Sequence, residues 1–277
     1  MSFHYNKSTK LLTIGALSIL LLTTPTLAFA NESEPNDVGT GAMLNDPTLT
    51  KSLEAELEEL AKEKDQWLEE TLMEEDFRIN NVADGEYYSI HVTNYKQENG
   101  YYCGPAAARQ SLSFHKSKSG SSTGLPGQST LASKIGTTKS GSTTTGIASA
   151  LNSYKGTFSF SSNTYVAADI TNVSSPRTTF ENRMKGVLKN KTNAPIVLLE
   201  TRYLDRYDGK SIRHYNTISA YSYDYTTGKK RMRAADPHYD AKYRGTHWDP
   251  IGSTSSKGIF RAVYEADKAG SNKAMAY

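Results

Sequence analysis

Apolar residues recur at helical spacing in the first two thirds of the chain. In residues 52–73 they lie three and four positions apart, with acidic residues on the other faces, which predicts one amphipathic helix of about six turns. Shorter stretches predict four further helices, at residues 102–114, 128–135, 145–154 and 176–190. Pro105 and Pro176 suit the first turn of two of them, because a helix needs no backbone N–H there.

Shorter apolar runs, typical of strands, dominate the rest of the chain. Residues 196–199 are continuously apolar and predict a buried strand, while 214–224 and 229–235 flank Thr226-Thr227-Gly228 and predict an antiparallel hairpin. Two more strands are predicted at 87–92 and 259–266. Because helices come first and an antiparallel sheet follows, the predicted fold class is α+β.

The first 30 residues have the three parts of a secretory signal peptide. Lys7 and Lys10 precede an apolar run at 11–22, and Ala28-Phe29-Ala30 supplies a small-x-small cleavage site. A membrane anchor is the alternative, but the run is shorter than the roughly 20 apolar residues that a span needs. We therefore expect a secreted protein, extracellular or associated with the cell wall, with no membrane span once residues 1–30 are removed.

The net charge of +3 conceals an acidic segment ahead of a basic body. Residues 31–80 carry 15 Asp or Glu against four Lys or Arg, a net of −11, whereas residues 81–277 carry a net of +12. The polar stretch 31–47 is predicted to be disordered. We interpret 31–80 as an acidic helical leader or propeptide that is attracted to the body and inhibits it, with a simple tether as the alternative. The basic residues form no stripe with aromatic residues, so nucleic acid is not an expected partner.

The chain has one cysteine, and its surroundings suit catalysis. Cys103 cannot form an internal disulfide, and it opens the predicted helix at 102–114, where unpaired backbone N–H groups favour a thiolate. Gly104 lets a substrate backbone approach. Gln97, six residues earlier, and the Cys103 backbone N–H can donate to the oxyanion of an acyl-transfer reaction.

These residues resemble a known active-site motif. Gln97, five intervening residues and Cys103-Gly104-Pro105-Ala106 are similar to the motif of the papain-like double-glycine leader peptidases, the bacteriocin-processing type, and their secreted relatives. In that family a histidine opens a strand and an Asp-Pro pair ends the next, as His214 and Asp236-Pro237 do here. The resemblance covers about residues 85–265. It implies a papain-like fold, with the cysteine on an N-terminal helical subdomain and the histidine and aspartate on a C-terminal antiparallel sheet.

The predicted hairpin supports the pairing of His214 with Asp236. With its turn near residue 226, it brings position 214 opposite a residue near 238, so that Asp236 lies about two residues from direct opposition. By the resemblance, His214 is the general base, Asp236 orients it, and no cofactor is required. His238 and His247 are the competing histidines. A metal site is a further alternative, formed by Asp236, His238, Asp240, His247 and Asp249, although the spacing matches no standard zinc pattern.

Two classes of function remain open. The first is a cysteine peptidase that cuts a peptide or protein substrate through a thioester, with an amidase or transpeptidase acting on cell-wall peptides as a variant. The second is a catalytically silent surface module that keeps the papain-like fold to bind a ligand. The presence of Cys103, His214, Asp236 and Gln97 together favours the enzyme. The family's transporter-linked substrates do not carry over, because this chain contains no transporter.

Overall fold

The computed structural model describes residues 41–76, 85–160 and 165–277, so the predicted signal peptide at 1–30 lies outside the described residues. Two 3₁₀ turns, Thr201–Tyr203 and Asp205–Tyr207, precede the strand that begins at Arg213. Within the described ranges, no helix combines the length and apolar character needed to cross a bilayer. The described helices are α1 (Lys51–Asp76), α2 (Cys103–Ser119), α3 (Gln128–Ile135), α4 (Thr144–Asn152), α5 (Pro176–Lys189) and α6 (Ile259–Lys268). The described strands are β1 (Gly85–Ser89), β2 (Ala167–Ala168), β3 (Ile196–Glu200), β4 (Arg213–Asp224), β5 (Lys229–Asp236), β6 (Gly245–Pro250) and β7 (Met275–Ala276).

All seven strands join one antiparallel sheet in the order β2-β7-β3-β4-β5-β6, with β1 beside the second half of β4. The long strand β4 is the centre, because β3 and β1 share one of its edges and β5 takes the other. The helix that carries Cys103 therefore comes before the two strands of the sheet that carry His214 and Asp236. The predicted α+β class and papain-like arrangement are confirmed.

The sheet is covered on both faces, which explains the uninterrupted apolar run in β3. Ile196 and Leu198 pack into the same cluster as residues of α2, α3 and α4. Val197 and Leu199 pack on the opposite side, with residues of α5 and α6. A strand buried on both faces needs apolar residues at every position rather than at every second one.

The hairpin of β4 and β5 has the predicted turn and nearly the predicted register. Thr217 pairs with Ala235, so the next step places Asn216 opposite Asp236, two residues from His214. At the turn, Gly228 takes a φ of 66°, and the Thr227 backbone N–H donates to Asp224 Oδ1 at 2.9 Å. A bulge between Ile218 and Ala220 bends β4, as the approach of two side chains offset by two residues requires.

The prediction of a strand at 259–266 is wrong, because this segment forms α6. Its buried apolar residues fall three and four positions apart, which is the helical period, and Arg261 pairs with Glu265 at 3.2 Å across one turn. The β-branched and aromatic residues Ile259, Phe260 and Val263 suit strands as well, so a short apolar run of this kind is ambiguous.

Helix α1 packs against α5 and the β2–β7 edge of the sheet. Leu68 is buried, and its Cδ2 lies so close to the backbone of Gly186 that a side chain at position 186 would approach it to 2.8 Å. Ion pairs join the acidic helix to the body, with Asp65 at 2.8 Å from Arg183 and Glu54 at 3.4 Å from Lys273. The attraction predicted from net charge thus has specific contacts, while a propeptide role for 31–80 stays a prediction.

The disorder predicted for 31–47 is wrong for its described part, residues 41–47. Ala42 and Asp46 are buried, and the backbone of this segment is hydrogen-bonded to Ser142 and Asn272. A polar composition indicates disorder only when the backbone finds no partners in the rest of the fold.

Candidate active site

Cys103 is the first residue of α2 and has no exposed surface. The preceding residue, Tyr102, makes no side-chain cap, so the first-turn N–H groups are left to favour negative charge on the sulfur. Gly104 lies against Ser142, whose Oγ would overlap with any side chain at position 104. The helix start can therefore approach the loop before α4 only because residue 104 is glycine.

His214 connects the cysteine to the aspartate. It is the second residue of β4, and its Nε2 lies 2.9 Å from Oδ1 of Asp236, the last residue of β5. The Cys103 sulfur is close enough to the ring to raise the pKa of His214, and Nδ1 is the ring nitrogen that the bond to Asp236 leaves for it. Burial alone would lower the pKa of His214, but the Asp236 carboxylate and the Cys103 sulfur raise it to about 10. The imidazole is therefore protonated at neutral pH.

Asp236 is fully buried and accepts hydrogen bonds on both carboxylate oxygens. Besides His214, the His238 backbone N–H donates to Oδ1 at 3.0 Å. Oδ2 accepts hydrogen bonds from the Tyr207 hydroxyl at 2.8 Å, the Arg206 guanidinium at 3.0 Å and the Asn216 amide at 3.3 Å. Burial would raise the pKa of this carboxyl, but His214, Arg206 and Tyr207 hold it well below its ordinary range.

Sequence reasoning missed these additional partners of Asp236. Arg206 and Tyr207 come from a short 3₁₀ turn between β3 and β4, and no spacing rule connects such a turn with the end of β5. Asn216 was detectable, because the hairpin register places it beside Asp236. A buried carboxylate generally needs several donors, and this requirement is the signal that could have prompted the search.

Gln97 lies in the loop that leads to α2 and is buried. Its backbone N–H donates to the Pro237 carbonyl at 2.7 Å, which ties the loop to the residue after Asp236. Its amide Nε2 donates one hydrogen to the Asn99 carbonyl at 2.6 Å and has a second to offer, whereas Oε1 has no hydrogen-bond partner among the described residues. The structure thus ties the backbone of Gln97 to the histidine–aspartate hairpin, and the oxyanion role of its amide stays a prediction.

Three side-chain amides that sequence reasoning overlooked hold this loop. Asn94 donates to the Asp236 carbonyl at 3.2 Å and to the Gly245 carbonyl at 2.7 Å. Gln110 of α2 donates to Asn94 Oδ1 at 3.1 Å. Gln128 of α3 accepts from the Glu98 N–H at 3.0 Å and donates to the Lys96 carbonyl at 2.7 Å. The loop is therefore fastened both to the helices and to the sheet.

The competing histidines have other partners. His238 accepts a bond from the Asp240 N–H at 3.0 Å, and burial together with the positive His214 lowers the pKa of His238 to about 4. His247 contacts the Tyr243 carbonyl at 2.9 Å. Across the part of the chain that the structure describes, no three His, Cys, Asp or Glu side chains are grouped so that they could hold a metal ion.

The thiol is covered by residues 41–46, which we call the cover segment. Gly41 lies against Cys103 so closely that a side chain at position 41 would overlap with Sγ. The next residue, Ala42, is 1% exposed and belongs to the same apolar cluster as Cys103. Its backbone forms a parallel bridge with Ser142. Access to the sulfur therefore requires this segment to move.

The sequence profile of the Peptidase_C39 like family matches residues 89–272, a range that includes Gln97, Cys103, His214 and Asp236. No curated protein matches the chain. Among solved structures, the crystal structure of UfSP from C. elegans matches with a TM-score of 0.37 and 12% sequence identity. That match covers 59% of this chain and 29% of the UfSP chain.

Proposed function

Because this chain belongs to the Peptidase_C39 like family, we propose that it is a cysteine peptidase that hydrolyses peptide bonds through a thioester on Cys103. The observation that carries the proposal is the position of His214, which lies 2.9 Å from the Asp236 carboxylate and close enough to the Cys103 sulfur for the sulfur to raise the pKa of the imidazole. A nucleophile beside a base that a third group orients is the recurring arrangement of covalent acyl transfer.

The first half-reaction forms the thioester. The Cys103 thiolate attacks the carbonyl carbon of the scissile bond, and the C=O π electrons move to oxygen. The Cys103 backbone N–H and the Gln97 amide donate to this oxyanion. When the intermediate collapses, the C–N bond breaks and His214 gives its proton to the leaving amine. The high pKa of His214, about 10, keeps that proton in place until the amine needs it.

The second half-reaction releases the acyl group. The now neutral His214 takes a proton from water, the resulting hydroxide attacks the thioester carbon, and the C–S bond breaks to return the thiolate beside the imidazolium. Asp236 stays ionised throughout, because its donors hold its pKa below the ordinary range, and it keeps Nε2 protonated and Nδ1 turned to the sulfur. No cofactor takes part, so EDTA should leave turnover unchanged.

The setting of the reaction follows from the sequence. We propose that residues 1–30 export the chain, so that its peptide or protein substrates lie outside the cytoplasm or at the cell wall. The acidic segment 31–80 then precedes the peptidase domain of residues 81–277 and regulates it. An amidase or transpeptidase acting on cell-wall peptides would use the same residues, with a different acceptor for the acyl group.

The test is turnover of a peptide library by the wild-type chain and by Cys103→Ala, with His247→Ala as a control histidine away from the sulfur. Cys103→Ala should remove all turnover without changing the circular dichroism spectrum, because the thiol contributes chemistry rather than packing. A Cys103→Ala protein that keeps about a tenth of the wild-type rate would exclude Cys103 as the nucleophile. Loss of turnover in His247→Ala would instead place the base outside His214.

A further inference from the structure

We propose that the cover segment, residues 41–46, occupies the peptide-binding cleft as a tethered inhibitor that must leave before Cys103 can react. The proposal rests on the proposed function, because it identifies the cleft as the place where a peptide substrate binds. It is carried by the geometry at the sulfur, where Gly41 lies against Sγ and so occupies the place at which the carbonyl of a scissile bond would have to bind.

One wall of the cleft binds the cover segment through backbone hydrogen bonds. The Met43 N–H donates to the Ser142 carbonyl at 2.9 Å, and the Ser142 N–H donates to the Gly41 carbonyl at 3.2 Å. Addition of an extended chain to an exposed backbone edge is a common way of binding peptides, and it places few demands on their side chains. The backbone at Ser142 is therefore available to any extended peptide that replaces the segment.

Further donors to the cover segment lie beside Ser142, whose carbonyl accepts from Asn272 Nδ2 at 3.4 Å. Asn272 donates from Nδ2 to the Met43 carbonyl at 2.8 Å and from its backbone N–H to the Leu44 carbonyl at 3.2 Å. Arg213, the neighbour of His214, donates to the same Met43 carbonyl at 3.3 Å. The cover segment is thus held by Ser142, Asn272 and Arg213, of which Arg213 is the residue before His214 in β4.

The far end of the cover segment is anchored by an acidic side chain. Asp46 is 5% exposed, and its carboxylate accepts from the Thr145 hydroxyl and from the Thr48 N–H at 2.9 Å. Its backbone N–H donates to the Ser271 hydroxyl oxygen at 3.2 Å. The cleft therefore suits an extended peptide with glycine at the sulfur and an acidic residue five positions later. Gly41 is required there for space, because a side chain at position 41 would overlap with the Cys103 sulfur.

The contact of the cover segment with Cys103 does not involve the acidic helix α1. The ion pairs of α1 join it to Arg183 of α5 and to Lys273, whereas the residues that cover the sulfur are 41–46. Buried backbone hydrogen bonds are screened little by salt, unlike exposed ion pairs. Inhibition through the cover segment should therefore persist at high salt.

The test uses the full chain with Gly41→Ala and, as a matched control, Gly124→Ala. A side chain at position 41 overlaps with Sγ, whereas one at position 124 has no heavy atom within 4 Å. The readout is the rate at which iodoacetamide alkylates Cys103, which does not depend on turnover. Displacement of the cover segment should raise that rate about ten-fold or more in Gly41→Ala and leave it unchanged in Gly124→Ala.

In Gly41→Ala, a small movement of the backbone could relieve the overlap with Sγ while the cover segment stays in the cleft. A second pair of variants controls for this outcome. Asp46→Ala removes the anchor, whereas Glu56→Ala removes an exposed carboxylate of α1. Only the first should speed alkylation. A synthetic peptide with the sequence of residues 41–48 should slow alkylation of Gly41→Ala, and its version with lysine at the position of Asp46 should be weaker.

Each outcome bears on the proposal. Equal alkylation rates in wild type, Gly41→Ala and Asp46→Ala would overturn it. Mass spectrometry that finds the wild-type chain cut next to Gly41 by its own Cys103 would also overturn it, because the segment would then be a substrate. Faster alkylation with no turnover of any peptide would support the cover and count against the peptidase function instead.

Discussion

Replacement of Asp236 by asparagine tests how the site holds its charge. The variant keeps the shape of the side chain and removes the carboxylate that accepts hydrogen bonds from His214, Arg206 and Tyr207. In the wild type the pKa of His214 is about 10 against an ordinary value of 6.5, a difference worth roughly 5 kcal/mol at about 1.4 kcal/mol per unit, to which Asp236 and Cys103 both contribute. Without the carboxylate, burial is opposed only by the Cys103 sulfur, so the pKa of His214 falls.

The loss of unfolding free energy in Asp236→Asn depends on pH, and the raised pKa of His214 determines its direction. A histidine whose pKa is raised by folding contributes its full stability below pH 6.5 and loses it as the pH rises through about 10. The difference in unfolding free energy between wild type and Asp236→Asn should therefore include up to about 4 kcal/mol from His214 at pH 7, less the part that Cys103 supplies, and less than about 1 kcal/mol at pH 10. At the acid end, the lowered pKa of Asp236 adds stability that is complete above pH 3.8 and is lost as the pH falls further.

The assay is urea unfolding at pH 7 and pH 10, with Asp240→Asn as the control because Asp240 is an exposed carboxylate of the following loop. The part of the difference that remains at pH 10 measures the contacts of Asp236 with Arg206 and Tyr207. A difference below about 1 kcal/mol at pH 7, or one that does not shrink by pH 10, would refute the reasoning.

Two further predictions follow from other parts of the fold. Gln97→Ala should lower kcat by about 100- to 1,000-fold with little effect on alkylation of Cys103, because it removes a donor to the oxyanion and leaves the thiol–imidazole pair in place; equal losses in both assays would indicate that the loop had collapsed. Leu68→Ala should lower the free energy of unfolding by about 2–5 kcal/mol, since Leu68 fills the contact of α1 with Gly186, while Trp67→Ala, at a position 42% exposed, should cost much less. Similar losses in the two variants, measured by thermal or urea unfolding, would mean that α1 does not dock as described.

Local signals in the sequence account for the parts of the fold that were predicted. The hairpin register follows from one turn, Thr226-Thr227-Gly228, because strand pairing on either side of a turn is fixed residue by residue. The start of α2 at Cys103 follows from Pro105 and the alanines after it. These two signals are enough to bring position 214 near 236 and to place the cysteine at a helix start, which is most of the arrangement at the site.

The remaining features depend on contacts between distant parts of the chain. Arg206 reaches Asp236 from another loop, and Gln128 fastens the Gln97 loop from another helix, so no periodicity or spacing connects them. The order of the cover segment was not predicted, because the segment lies within the polar stretch 31–47 and its backbone partners Ser142 and Asn272 lie about 100 residues or more away in sequence. Such contacts become visible only when the tertiary structure is known.

The burial of Cys103 also affects how readily the sulfur is oxidised. Peroxides oxidise a thiolate stepwise to sulfenic, sulfinic and sulfonic acids, and the last two steps end its use as a nucleophile. Each of these reactions needs the oxidant to touch the sulfur, which has no exposed surface while Gly41 and Ala42 lie over it. The same residues that exclude substrate thus preserve the thiol, and the molecule becomes vulnerable to oxidation only from the moment at which it becomes able to react.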